Sequence, residues 1–519
     1  MTIVDLLKAN AEKYPQDTAL IEVDPDLHTR REIDWQTFNL QTNQVANYLT
    51  QKGVKKNDKV AMLMHNSLEW LPIYFGIMKT GAWVVPLNFR FIAVDVEYCL
   101  SISEANIIFI DPEYMRMVDE LKNKVSPTLH VIVVGQNTSP EYIYLKDIFA
   151  SSPASEPEIL LLETEDCGLY FTSGTTGAPK PILLTHHNMI SSAIIEQKHH
   201  EQVKEDNFVL IPPLYHAGAK MHWFGNLLVG AKATLLKKVS PQYILDTMQE
   251  EEATIVWLLV PWAHDILEAL DKGELDLSRY NLNRWRLMHI GAQPVPPSLV
   301  QRWQSYFPDM QYDNNFGLSE STGPGCVHLG MENKHRIDCN GKAGYMWQAA
   351  VVREDGSNVN PGEVGELVVK GPGVMREYYR NPQKTAETII NGWLHTGDMA
   401  KIDDEGFIYI VDRKKDIVIT GGENIFPVEI EDELHKHPRI HDVAIIGLPD
   451  DRLVEVVAAV VQPKENMEIS KEEIFEFCSK TLPRYKWPRV IIFDQVPRNP
   501  TGKIEKIKLR AKYANCSFL

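Results

Sequence analysis

The sequence predicts an α/β protein. A large N-terminal domain of doubly wound, mostly parallel sheets carries a β-rich subdomain, and a small α+β domain follows it. Three observations predict this. Short apolar runs alternate with helix-spaced stretches along the first part of the chain. Near Ala350 the texture changes to short, turn-separated strands. Beyond the charged stretch Asp412-Arg-Lys-Lys-Asp416, a new series of apolar and amphipathic segments begins.

Taken in order, Val60-Ala-Met-Leu-Met64 reads as a buried strand, Asn66 to Thr80 as a helix ended by Gly81, and Trp83-Val-Val-Pro-Leu87 as the next strand. That is a βαβ unit, which implies parallel pairing. Ile107–Ile110, His130–Val134, Phe208–Ile211, Ala233–Leu236, Ile255–Val260 and Leu287–Ile290 repeat the pattern. Near-continuous apolar runs suit strands covered on both faces by helices. Gly365-Glu-Leu-Val-Val-Lys370 belongs to the β-rich subdomain. After it come a helix over Pro427–His435, strands at Val443–Ile446 and Val456–Val461, a helix over Lys471–Thr481 and a strand at Val490–Phe493. The expected domains are 1–412 and 413–519.

Composition narrows the function. The 519 residues hold 53 Lys plus Arg against 70 Asp plus Glu, a net charge of −17. Such an acidic chain is a poor nonspecific binder of nucleic acid, so a polyanionic ligand must be held by local cations and backbone amides. The six cysteines form no Cys-x-x-Cys pair and fit a reducing compartment. The start lacks a basic region before an apolar core, no run suits a membrane helix, and Ser517-Phe518-Leu519 lacks the basic middle residue of a peroxisomal signal. A cytoplasmic location is expected.

The strongest local signal is Tyr170-Phe-Thr-Ser-Gly-Thr-Thr-Gly-Ala-Pro-Lys180. Its glycines, hydroxyls, amides and one ammonium suit a phosphate cradle, with a polar surface turn as the plain alternative. It is no Walker loop, because prolines flank Lys180. Further strings follow in order: Pro213-Leu-Tyr-His216, Gly291-Ala-Gln293, Asn315-Phe-Gly-Leu-Ser-Glu320, Gly392-Trp-Leu-His-Thr-Gly-Asp398, Asp412–Asp416, Gly421-Gly-Glu-Asn-Ile-Phe-Pro-Val-Glu429 and Pro497-Arg-Asn-Pro-Thr-Gly-Lys503.

With these strings the sequence resembles the adenylate-forming superfamily of acyl-CoA synthetases, luciferases and peptide-synthetase adenylation domains. The resemblance spans essentially the whole chain. It implies a carboxylic acid–CoA ligase that uses ATP and Mg2+, forms an acyl-AMP, and transfers the acyl group to coenzyme A. Expected partners are a small-molecule acid and CoA, with a homodimer as the candidate assembly, no nucleic acid and no integral membrane segment. The alternatives are an enzyme that loads a carrier-protein thiol and a noncatalytic nucleotide-binding relative.

The resemblance also assigns residues. Thr172, Ser173, Gly174, Thr175, Thr176, Gly177 and Lys180 would hold the β- and γ-phosphates. Glu320 would ligate the magnesium, Ser319 would touch the α-phosphate and Phe316 would stack on adenine. Gly291, Ala292, Gln293, Asn315 and Gly317 complete the nucleotide set, Asp398 would take the ribose hydroxyls, and Arg413 adds a contact. Lys503 would bridge carboxylate and α-phosphate as a catalytic cation. His216 would separate the acyl site from the thiol channel, with a core histidine as the alternative. The acyl pocket would be lined by Ala217, Gly218, Ala219, Trp223, Val260, Gly291, Gly317 and Leu318. Lys220 and His222 are read as helix-surface residues, the alternative being recognition of a second polar group. Rotation of the C-terminal domain about Lys415 would withdraw Lys503 and present Gly421 and Gly422 to pantetheine, with Tyr485 stacking on the CoA adenine. Acetate-specific relatives place a Trp where this chain has Gly317, which implies a larger acid: medium-chain, long-chain, alicyclic or aromatic. Pro181, Gln293 and Val454 depart from the usual pattern, and no histidine spacing suggests a metal site.

Overall fold

The computed structural model describes residues 1–126, 128–136, 139–172, 179–291, 293–420, 423–450, 452–499 and 502–514, with only the backbone of residue 324. Two large sheets form the body. In the first, of nine strands, Gln311–Leu318, Leu287–Gly291, Ile255–Leu259, Asn207–Leu210, Lys232–Leu236 and Thr18–Asp24 lie side by side and parallel. Antiparallel strands close its edges, Gly323–His328 and Lys342–Ala343 on one side and Thr29–Asp34 on the other. The second sheet has eight strands, with Trp83–Pro86, Lys59–Leu63, Ile107–Ile110, His130–Val133 and Ile143–Tyr144 parallel. The Asp166–Thr172 and Lys180–Thr185 strands flank the phosphate-loop string as an antiparallel pair on this sheet.

Helices carry the apolar faces that join the two sheets. Trp70–Lys79 is buried along its whole length, and Ala217–Val229 along most of its own. Trp35, Phe38, Phe75 and Trp223 meet in the largest core cluster. The helix expected from Asn66 begins at Trp70 instead. The Asn66 amide accepts from Leu214 N at 2.8 Å and donates to Pro212 O at 3.0 Å, so it braces the loop before His216.

The β-rich region forms as a separate antiparallel sheet of Gln348–Val352, Gly365–Lys370, Trp393–Ile402, Ile389–Ile390 and Ile408–Arg413. The C-terminal sheet joins Glu423–Ile425, Val418–Thr420, Val454–Pro463, Ile440–Asp450 and Val490–Phe493. Helices Pro427–His435 and Lys471–Thr481 have the bounds read from sequence, and Lys506–Tyr513 adds a helix the sequence reading did not name. Among the described residues no helix is long and apolar enough to cross a membrane.

Candidate active site

Thr172 and Lys180 are register partners where the second sheet meets the phosphate-loop string. Of the expected site residues, Ser173, Gly174, Thr175, Thr176, Gly177, Ala292, Gly421 and Gly422 lie outside the described residues. The Lys180 ammonium sits 6.0 Å from the centre of the Tyr378 ring. The Tyr378 hydroxyl donates to Glu320 Oε1 at 2.8 Å. Burial and the Glu320 charge hold the Tyr378 phenol well above its ordinary pKa, so it is a permanent donor at neutral pH. Tyr378 was missed from sequence because nothing marks a lone Tyr on a two-residue strand as a partner for a distant Glu.

Gly291 ends its strand against the neighbouring one. A Cβ there would stand 3.5 Å from Asn315 O, in ordinary van der Waals contact. Asn315 to Leu318 complete their strand, and Ser319–Ser321 turns sharply with Glu320 in its middle. All six residues of the Asn315–Glu320 string are half-buried, which suits side chains lining a cleft.

Asp398 and Arg413 are register partners on adjacent antiparallel strands. Arg413 Nε lies 3.0 Å from Asp398 Oδ1, and its Nη1 donates to Oδ2 at 3.3 Å. Burial raises the Asp398 pKa, while Arg413 and Lys503 oppose that shift. Lys503 reaches the same place from the C-terminal domain. Burial and the nearby Arg413 push its ammonium down to about 8, against the pull of Asp398 and Glu320.

The Lys503 loop is held in place locally. Asn499 N donates to Lys503 O at 2.9 Å, Gly502 N to Asn499 O at 2.9 Å, and Lys503 N to Asn499 Oδ1 at 3.0 Å. Gly502 takes φ +79° and lies against Pro261 and Gln293, where a Cβ would come within 3.3 Å of Pro261. Arg498, also missed from sequence, pairs with Asp442 at 2.7 Å and donates to Gln293 Oε1 at 2.8 Å.

His216 caps the start of Ala217–Val229. Burial, with Lys503, Lys220 and His222 nearby, pushes its imidazole down to about 3, so the ring is neutral. Gly218 opens space beside it: a Cβ there would meet Trp257 at 3.1 Å and His216 Nδ1 at 3.3 Å. Ala217, Ala219 and Val260 are buried, and Leu318 is half-buried. Trp223 follows Ala219 by one helical turn, and its ring packs on Phe75 at 6.5 Å in the main core that also holds Ala217 and Ala219.

Lys220 and His222 are not on the surface. Both are buried, because this helix is covered on all sides by the two sheets and their helices. Lys220 Nζ donates to Leu214 O at 3.1 Å and to His216 O at 3.4 Å, and lies 4.5 Å from the Tyr170 ring centre. Burial holds its pKa far below the ordinary lysine value. The lysine thus ties down the carbonyl of His216.

Lys415 lies in the exposed turn between the Ile408–Arg413 and Val418–Thr420 strands. Tyr485 is half exposed beside a hollow of about 220 Å³ lined by Thr420, Glu423, Arg484, Trp487 and Arg489, among others. Its two arginines and two aromatic rings suit a nucleotide with phosphate groups.

The comparisons with known proteins agree with this geometry. The family model described as AMP-binding enzyme matches residues 7–379, and that described as AMP-binding enzyme C-terminal domain matches 429–503. The chain is 31% identical over 511 residues to a long-chain-fatty-acid–CoA ligase, FadD13, of Mycobacterium tuberculosis, covering 98% of each chain. It is 31% identical over 492 residues to a feruloyl-CoA synthase of an Amycolatopsis species, covering 94% of this chain and 95% of the relative. Among solved structures, the anthranilate CoA ligase AuaEII in complex with anthranoyl-AMP superposes with a TM-score of 0.89 at 25% identity, over 99% of this chain and 97% of that one. Phosphate-loop strands, a Glu320–Tyr378 pair, an Asp398–Arg413 pair and an incoming Lys503 stand together in a chain matched by both models, and the chain belongs to the AMP-binding enzyme family of acid–thiol ligases.

Proposed function

We propose that the chain joins a medium-chain, long-chain, alicyclic or aromatic carboxylic acid to coenzyme A through an acyl-adenylate. The observation that carries this reading is the convergence of Lys503 with Asp398, Arg413 and Glu320 across the two parts of the chain. The substrate carboxylate and the α-phosphate are both anions, so their approach needs a cation between them. Lys503 is that cation. Asp398 takes the ribose hydroxyls, Arg413 orients Asp398, and the Thr172–Lys180 loop takes the outer phosphates. The carboxylate oxygen attacks the α-phosphorus, pyrophosphate leaves, and the acyl-AMP then carries a good leaving group. Its carbonyl carbon accepts the CoA thiolate and AMP departs.

The neutral His216 ring, fixed by the Lys220 contact to its backbone carbonyl, separates the acyl side from the thiol side. Residues 413–519 turn about Lys415 between the half-reactions and exchange Lys503 for the Gly421-Gly422 segment. Glu320 fits a magnesium ion: Tyr378 holds one oxygen and thereby aims the other. Magnesium bound by one carboxylate, water and phosphate oxygens would neutralise charge on the outer phosphates.

The relatives' names support the breadth of acid class, since they cover long-chain and aromatic acids. A ligation screen over fatty, alicyclic and aromatic acids of graded size, with ATP–pyrophosphate exchange measured alongside, tests the reading. Acid-dependent exchange and acyl-CoA formation are expected. Exchange that needs no acid, or no thioester from any acid, overturns it.

A further inference from the structure

A second constellation lies behind His222 and Trp257, whose ring centroids are 4.6 Å apart. His289 and Asp313 are register partners on parallel neighbouring strands. His328 is the partner of Asn315, two residues on from Asp313, so the three side chains share one face of the sheet. The helix His186–His200 lays Glu196 and His200, one turn apart, on that face, and Ala217–Val229 adds His222. Each of these six side chains is at least 97% buried. The sequence reading found no metal-ligand spacing because the residues come from five separate elements.

Asp313 Oδ2 is the hub. It lies 2.8 Å from His200 Nε2, 3.0 Å from His328 Nδ1 and 3.7 Å from His289 Nδ1. The hub oxygen and the His200 and His328 nitrogens fall within 4.8 Å of one another. Ligand atoms at the corners of a tetrahedral zinc site with ordinary bond lengths stand about 3.3 Å apart. The three hub distances bracket that spacing.

Proton counting makes the same point. A neutral imidazole has one N–H and one bare nitrogen. His200 stands between two carboxylates, with Nε2 toward Asp313 and Nδ1 at 3.2 Å from Glu196. His328 does the same, with Nδ1 toward Asp313 and Nε2 at 3.5 Å from Glu196. One bare nitrogen of each neutral ring therefore faces a carboxylate oxygen. His200 Nδ1, His328 Nε2, His289 Nδ1 and Glu196 Oε1 have no hydrogen-bond partner. A cation beside Asp313 Oδ2 resolves this. The inner nitrogens bind it, and the outer N–H groups of His200 and His328 turn to Glu196, the carboxylate–histidine–metal arrangement that orients ligands in metalloproteins. His289 Nδ1 stands farther off, 3.7 Å from Asp313 Oδ2, while its Nε2 pairs with His222 Nε2 at 2.7 Å and His222 Nδ1 rests on Glu196 at 2.8 Å. A divalent ion would balance the two buried carboxylates in place of the proton that Asp313 and Glu196 hold on His328.

We propose that His200, Asp313 and His328 form a buried three-residue site for a zinc-like divalent cation, with Glu196 as the carboxylate that orients His200 and His328. The site pins the Gln311–Leu318 strand, which runs on into the Asn315–Glu320 string, to the helix carrying Glu196.

The test is metal analysis of the full chain purified without a metal-chelating column, as isolated and after incubation with Zn2+ or Co2+. About one ion per chain is expected to survive dialysis. The Co2+ form should show the strong visible bands of tetrahedral cobalt, and X-ray absorption of the Zn2+ form should show two imidazoles at about 2.0 Å. Asp313→Asn and His328→Gln should lose the ion. The rival arrangement is a network in which protonated imidazoles supply the charge, and such a network takes up no metal. A folded wild-type chain holding no ion after either incubation overturns the proposal. So does an absorption spectrum with fewer than two imidazoles, or folded variants that retain the ion. Because the absorption measurement uses wild type, it decides even if the variants fail to fold.

Discussion

Arg498 of the C-terminal domain donates to Oε1 of Gln293 in the large domain at 2.8 Å, and this contact sits one loop away from Lys503. The same guanidinium grips Asp442 and the carbonyl of Gly502, so it links the C-terminal sheet, the lysine loop and Gln293. A charge-assisted hydrogen bond at a partly buried site contributes about 1.5–3 kcal/mol. Gln293→Ala should therefore slow ATP–pyrophosphate exchange about tenfold or more. Thioester formation from a supplied acyl-adenylate should stay near the wild-type rate. Equal slowing of both steps contradicts docking as the role of this pair.

Lys503 gives the first half-reaction a pH signature. Its folded pKa is lowered to about 8, so the ammonium is present below that pH and lost above it. For the free enzyme, kcat/KM of adenylation should be flat below pH 8 and fall above it. Lys503→Arg keeps its charge throughout and should flatten that limb, at the cost of a lower rate from the altered geometry. A limb that persists in the arginine variant assigns the titration to another group.

Val454 departs from the family pattern and stands at φ +74°, a left-handed conformation costly for a β-branched residue. It is exposed and pairs with Thr420, next to the Gly421-Gly422 segment. Val454→Gly should relieve roughly 1 kcal/mol of this strain after the entropy cost of glycine. Amide exchange along Val418–Thr420 and Val454–Pro463 should then slow about fivefold where it proceeds by opening of the C-terminal sheet. Unchanged or faster exchange contradicts the strain.

Gly317 is half-buried in the Gln311–Leu318 strand, and the proposed function puts it at the end of the acyl pocket. Each methylene buried beyond it adds about 0.8 kcal/mol. Wild type should prefer hexanoate or benzoate to acetate, and Gly317→Trp should shift preference toward acetate and propionate. A wild-type enzyme favouring acetate over both larger acids refutes an open pocket.

Local chemistry explains what could be read in the sequence. The helices Pro427–His435 and Lys471–Thr481 came out with the expected bounds, because a proline in the first turn and the Ser470 cap on Glu473 N mark their starts. The Asn315–Glu320 string was legible because it is a short run at a strand end followed by a tight turn. Contacts made across elements left no such trace. Leu214 for Asn66, Glu320 for Tyr378 and Gln293 for Arg498 lie 58 to 205 positions from their partners. The polarity of Lys220 and His222 predicts a solvent face, a rule that fails for a helix enclosed by two layers.

The most direct measurement compares the two half-reactions in Lys503→Ala. The lysine acts only while carboxylate and α-phosphate approach, so acid-dependent ATP–pyrophosphate exchange should fall by about 10²–10³-fold or more. Thioester formation from synthetic acyl-adenylate and CoA should remain close to wild type. Equal loss in both reactions, or exchange that survives the substitution, contradicts Lys503 as the cation of adenylate formation.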